Sequence, residues 1–325
     1  MKVFITRQIS QSGLQLMQDA GILFTQWMEK RDLQQQELIE ICKKYDALIS
    51  VGQDKIDKHF LHECRHLKTV AQMAVGYDNI DIPEATKLKI PIGNTPGVLS
   101  KATADIAFLL MLALSRKALY LHKKIIHGEW GFYEPTANLG VELDGKTLGI
   151  FGLGKIGFEM ASRCVKAFDM QVIYHNRSNN IEAEKKLGAK KVSLDELIAQ
   201  SDVLSVHTAL TVETKNFFDY AKFSKMKPTS IFVNTARGGI HNETDLLKAL
   251  NENLIWGAGL DVTNPEPMLA DNPLLTMPNV AVLPHIGSAT QETRGAMSRL
   301  AAENIIAASK GKRLPHLVNP EVYGM

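Results

Sequence analysis

Cysteine is scarce in this chain. Cys42, Cys64 and Cys164 are the only three in 325 residues, and no two have the spacing of a metal-binding or redox pair. A disulfide scaffold is excluded, and reduced thiols fit a cytoplasmic protein. Charge of one sign is also lacking. Lys and Arg total 37 against 35 Asp and Glu, a formal net charge of +2, which gives no electrostatic case for nucleic acid or an anionic membrane. Long apolar runs are missing as well. The most apolar segment, 102–114, contains Asp105 and is too short to span a bilayer. Lys2 to Thr6 predicts a strand at the start, with no signal-peptide pattern. No tandem repeat, low-complexity tract or cluster of metal ligands appears, so no metal is expected.

What is present is alternation of strand and helix signals. Residues 1–99 alternate short apolar runs (Val3–Ile5, Ala47–Val51, Thr69–Met73) with helical spacing (Gly13–Ala20, Leu33–Tyr45, Ile56–Cys64), and Pro83 is placed at a helix start. A long apolar helix is expected from Lys101 to Ile126, broken near Ser115, with Ser100 as N-cap. A second series then places strands at 147–151, 171–174, 203–206, 230–233, 255–259 and 280–283, with helices at 156–167, 194–199, 243–251 and 291–310. This predicts an α/β protein with a doubly wound parallel sheet. Asp169 stands where the turn from helix to strand calls for a left-handed residue.

Leu148 to Gly157 holds Gly152-x-Gly154-x-x-Gly157 between a strand and a helix, the context that a dinucleotide-binding turn requires. Gly152 permits the turn, Gly154 lets a pyrophosphate approach the backbone, and Gly157 lets the helix pack on the strand. At the end of the next strand an NAD site carries a carboxylate for the ribose hydroxyls. Here the sequence reads Asn176-Arg177-Ser178 instead. Asn176 does not repel a 2′-phosphate, Ser178 donates a hydrogen bond, and Arg177 offers charge and a planar fork, so NADP(H) is expected over NAD(H).

Arg237, Glu266 and His285 each lie just past a predicted strand, where the crevice of a doubly wound sheet opens. Reduction of a 2-keto acid needs hydride at the carbonyl carbon and a proton at its oxygen. His285 can give the proton, Glu266 beside it favours its charged form, and Arg237 can hold the substrate carboxylate and polarise the carbonyl. His207 is expected to be a hydrogen-bonded strand histidine.

Together, Val75-Gly76-Tyr77-Asp78-Asn79-Ile80-Asp81, the glycine turn, Asn234-Thr235-Ala236-Arg237-Gly238, Leu260-Asp261-Val262 with Pro265-Glu266-Pro267, and Pro284-His285-Ile286-Gly287-Ser288 resemble the D-isomer-specific 2-hydroxyacid dehydrogenases. Within that family the chain is most similar to the glyoxylate/hydroxypyruvate reductase branch. The resemblance spans nearly the whole chain. It implies a Rossmann-type cofactor domain (100–287) and a smaller flavodoxin-like substrate domain (1–99 with 288–325), hinged near 97–101 and 287–290. It implies Arg237, Glu266 and His285 as catalytic residues. It places Thr103, Lys155, Ile156, Thr208, Thr235, Ala236, Asp261 and Gly287 along the cofactor. Amides near Val75 and Gly76, with the Val51-Gly52 loop nearby, would grip the substrate carboxylate. It also implies a homodimer involving the 119–130 region. One departure is Ala209, where the family often has Pro. An NAD-dependent D-lactate or D-3-phosphoglycerate dehydrogenase is the alternative enzyme, although the second often carries extra regulatory sequence. A nucleotide-sensing binding protein, like the corepressors of this fold, is the non-catalytic alternative.

Overall fold

The computed structural model describes residues 1–324, which form two compact units, 1–99 with 289–324 and 100–288. The first unit alternates β1 (Lys2–Ile5), α1 (Gln11–Asp19), β2 (Leu23–Gln26), α2 (Gln35–Cys42), β3 (Ala47–Ser50), α3 (Lys58–Glu63), β4 (Val70–Gln72), α4 (Ile82–Lys87) and β5 (Ile92–Gly93). Its sheet is wholly parallel in the order β2-β1-β3-β4-β5, the flavodoxin-like winding. Phe4, Leu48, Val70 and Ile92 from four of its strands join Phe60, Leu61 and Ile39 in the core. The last helix of the chain, Gln291–Ser309, also belongs to this unit. It lies so close on α1 that a Cβ at Gly13 would fall 2.1 Å from the Ser298 hydroxyl. Farther on, Asn319 accepts from the Ile92 amide and donates to the Ile90 carbonyl, tying the tail to β5.

The second unit opens with α5 (Ser100–Ser115) and α6 (Ala118–Ile126). The expected long helix is broken by Lys117, which has φ 52°. Ser100 is the first residue of α5 and not its cap, a boundary shift of one position. There follow β6 (Thr147–Phe151), α7 (Lys155–Phe168), β7 (Gln171–His175), α8 (Ile181–Leu187), β8 (Lys190–Lys191), α9 (Leu194–Gln200), β9 (Val203–Val206), α10 (Tyr220–Phe223), β10 (Ile231–Asn234), α11 (Glu243–Asn251), β11 (Gly257–Leu260) and β12 (Val280–Val282). These strands form one parallel seven-stranded sheet, β12-β11-β10-β9-β6-β7-β8. The order reverses at the β6–β9 pair, so this is the Rossmann winding with its switch point there.

Strand alternation feeds two cores. Leu148, Ile150, Ile231 and Val233 face the side covered by α5 and α7, with Leu110, Met111, Met160 and Cys164. Phe151, Leu204, Val206 and Phe232 face the other, with Leu197, Leu246 and Phe218. Caps set several helix starts. Asn180 holds the Ala183 amide, Asn242 the Asp245 amide, and Ser193 with Glu196 completes a capping box. At the C-cap of α7, Asp169 takes the left-handed conformation, φ 48°. β2, β8 and α8 are absent from the sequence reading. Among the described residues no helix is long and apolar enough to cross a membrane.

Candidate active site

The strand β6 turns into α7 through Gly152, whose φ is +95°. A Cβ there would lie 2.7 Å from the Thr208 amide nitrogen, so the turn admits only glycine. The α7 N-cap, Gly154, contributes no side-chain hydrogen bond. The first-turn amides of Lys155, Ile156 and Gly157 therefore face outward with the positive end of the helix dipole. A Cβ on Gly154 would meet nothing within 4 Å, which leaves an open cradle at the amides. Across the switch point, the buried Thr235 hydroxyl has no partner among the described residues. The open cradle, the helix dipole and this unpartnered hydroxyl together fit a dinucleotide and its pyrophosphate.

At the end of β7, Asn176 turns inward. Its Oδ1 accepts from the Leu153 amide at 2.7 Å and its Nδ2 donates to the Leu153 carbonyl at 3.1 Å. Asn180 Nδ2 donates to the same carbonyl at 3.0 Å. Asn176 is thus a brace on the glycine turn, a role that needs both an acceptor and a donor and that a carboxylate could only half fill. Arg177 and Ser178 lie exposed beyond it.

Three more strand ends build the second half of the site. After β10, Asn234 Oδ1 accepts from the Ala236 amide, and its Nδ2 donates to the Arg237 carbonyl at 2.8 Å and to His241 Nδ1 at 3.0 Å. His241 is fully buried, and burial pushes its pKa down to about 4, so it serves as a neutral acceptor. Gly238 then passes so near the Thr263 carbonyl that a Cβ would lie 1.9 Å from that oxygen. Any side chain would force apart the loops carrying Arg237 and Glu266. After β11, buried Asp261 accepts from the Ile286 and Gly287 amides at 2.8 and 2.7 Å, and its burial raises its pKa despite these bonds. Thr103 lies beside Gly287.

The loop fixed by Asp261 carries His285, which has a left-handed backbone, φ 52°. This conformation is uncommon for a residue with a side chain. His285 Nδ1 meets Glu266 Oε1 at 2.5 Å, with side chains 40% and 26% exposed respectively. Burial works to raise the Glu266 pKa. The hydrogen bond and charge of His285, a backbone bond at Thr263 and the charge of Arg237 outweigh burial and hold Glu266 below its ordinary value, ionised at neutral pH. Nδ1 is engaged with a carboxylate, so Nε2 is the ring atom left for proton exchange. This is the orientation a general acid needs. His207, by contrast, bonds the Ser205 hydroxyl at 2.8 Å.

The family model of the D-isomer specific 2-hydroxyacid dehydrogenase NAD binding domain matches residues 108–287, more than half of the chain. The chain belongs to the D-isomer specific 2-hydroxyacid dehydrogenase family. Its cofactor class is therefore a nicotinamide dinucleotide. A glyoxylate reductase of Thermococcus litoralis is 44% identical over 99% of this chain and 97% of its own length. The crystal structure of a glyoxylate reductase from Paecilomyes thermophila superposes with a TM-score of 0.86 at 35% identity, covering 99% of this chain and 98% of that one. An NADPH-dependent glyoxylate/hydroxypyruvate reductase of Sinorhizobium meliloti, in complex with NADP and malonate, has a TM-score of 0.84 at 28% identity over 98% of this chain and 96% of its own.

Within the second unit, the predicted positions from Thr103 to Gly287 converge on the carboxyl ends of its strands. Val51, Gly52, Val75 and Gly76 belong to the first unit and follow β3 and β4, which are adjacent in its sheet. The Val51 amide is already taken by the Thr6 hydroxyl at 2.9 Å and by Asp54 at 3.2 Å. Sequence reasoning missed Asn234, His241 and Asn180 as supports. Asn234 lies inside the motif that carries Arg237 and was the most accessible of the three. His241 and Asn180 give no signal until the chain is folded.

Proposed function

We propose that this dehydrogenase reduces glyoxylate and hydroxypyruvate to glycolate and D-glycerate with NADPH. The His285–Glu266 pair carries the chemical reading, since it aims one imidazole nitrogen outward and holds the other against a carboxylate. When bound, the nicotinamide supplies hydride to the carbonyl carbon. His285 Nε2 delivers a proton to the carbonyl oxygen, and Glu266 balances the charge on the ring before that transfer. Arg237 holds the substrate carboxylate and steadies the developing negative charge. In the reverse direction neutral His285 accepts the hydroxyl proton.

Residues 100–287 act as the cofactor domain, and 1–99 with 288–325 as the substrate domain. Backbone amides near Val75 and Gly76 are assigned to the substrate carboxylate, with the Val51-Gly52 loop nearby. The absence of a carboxylate after β7, together with exposed Arg177 and Ser178, supports a phosphorylated dinucleotide. The acting form is a homodimer. Support comes from one run of chain that exposes Leu119, Ile125, Ile126, Trp130, Phe132 and Tyr133, from 40% to 84% of each residue.

A kinetic panel of glyoxylate, hydroxypyruvate and pyruvate with NADPH and NADH tests this reading. Turnover is expected to be fastest with NADPH and the first two acids. His285→Ala is expected to lose about 10²- to 10⁴-fold in kcat while still binding cofactor. No turnover with any small 2-keto acid would overturn the assignment, and substantial turnover by His285→Ala would remove the histidine as proton donor.

A further inference from the structure

The brace formed by Asn176 has a consequence for the loop beyond it. Asn176 and Asn180 are both fastened to Leu153, so the turn 176–180 is anchored at its two ends on the glycine turn. Arg177, Ser178 and Asn179 project between these anchors and are exposed. Alongside runs the edge strand β8, in register with β7 so that Lys191 stands opposite Tyr174. Its ammonium donates to the Arg177 carbonyl and to Asn179 Oδ1, both at 3.2 Å. Both partners are neutral oxygens. Among the described residues no carboxylate pairs with Lys191, so it holds an unneutralised charge at the same turn, with a third proton to give.

We infer that Lys191 is a second cation of the 2′-phosphate site, contributed by the edge strand and not by the turn that carries Arg177. This rests on the NADPH reading above and adds a residue to it. A phosphate monoester carries up to two negative charges near neutral pH and three acceptor oxygens. One guanidinium, with its single positive charge, does not match that charge. The Lys191 ammonium, held over the turn by the Arg177 and Asn179 oxygens, supplies the remainder as a point charge. Asn176 supplies none, being a neutral amide that is turned to Leu153.

Calorimetric titration of the full chain with 2′,5′-ADP and with 5′-AMP tests this directly, because the two probes differ only in the 2′-phosphate. The wild type is expected to prefer 2′,5′-ADP. Lys191→Ala is expected to weaken 2′,5′-ADP about tenfold while changing 5′-AMP by less than about twofold, and Lys191→Arg is expected to keep most of the preference. Melting temperatures of both variants confirm that they fold. A parallel loss for both probes would make Lys191 a prop for the loop and overturn the inference. A wild-type preference that survives Lys191→Ala would overturn Lys191 alone. A wild type that binds the two probes equally would overturn the NADPH reading and Lys191 with it.

Discussion

Arg237 owes its place to atoms that touch no substrate. Asn234 divides its amide between the Ala236 N–H, the Arg237 carbonyl and His241 Nδ1, so the turn after β10 is closed from within. His241 fills its part only as a neutral ring, and burial keeps it neutral down to about pH 4. In the unfolded chain a histidine titrates near 6.5. Between these values the unfolded state binds the extra proton, so acidification destabilises the native state, progressively from about pH 6.5 to about pH 4. The penalty is about 3 kcal/mol at most. His241→Leu should flatten the fall of melting temperature over that interval relative to the wild type. Equal slopes in the two proteins would show that His241 protonates freely in the fold.

At the scale of the element, the glycine turn separates conformation from ligand access. Gly152 needs its glycine for the backbone, having a left-handed φ and a backbone nitrogen where a Cβ would go. Gly154 has an extended backbone, φ −94° and ψ −155°, with open space before it. Gly154→Val should therefore melt within about 2 °C of wild type yet lose dinucleotide affinity on the order of 100-fold. Gly152→Ala should cost about 1–3 kcal/mol of stability. A strongly destabilised Gly154→Val measured by differential scanning fluorimetry, or one that still binds cofactor normally, would contradict this division. The reading of other elements from sequence depended on their burial. The central strands β6, β9 and β10 were legible because they are buried runs of apolar residues. β8 is two exposed lysines and β2 a half-exposed edge, and neither carries a hydrophobic pattern to read.

For the molecule as a whole, α6 is the anomaly. It is amphipathic but buries no residue within the chain, and Trp130, Phe132 and Tyr133 beyond it are 73%, 84% and 78% exposed. Covering an apolar run of this extent is the role of the homodimer proposed above. Light scattering is expected to give twice the 36.0 kDa chain mass. Ile126→Asp combined with Trp130→Ser should shift the protein toward monomer without unfolding it. A wild type that is monomeric at micromolar concentration would remove the dimer from the proposal.

The sequence by itself determined the two parallel α/β windings and the glycine turn, and it singled out Arg237, Glu266 and His285 as the candidates proposed for catalysis. Each of these rests on local pattern, such as apolar periodicity, glycine spacing and a polar residue just past a strand. Only the tertiary structure decided that Asn176 braces Leu153, that Gly238 lets two loops meet, and that His285 and Glu266 stand 2.5 Å apart. Those facts depend on contacts between residues 19 to 25 positions apart in the chain. Such contacts are fixed by how parallel strands align their carboxyl ends, which no local stretch of sequence encodes.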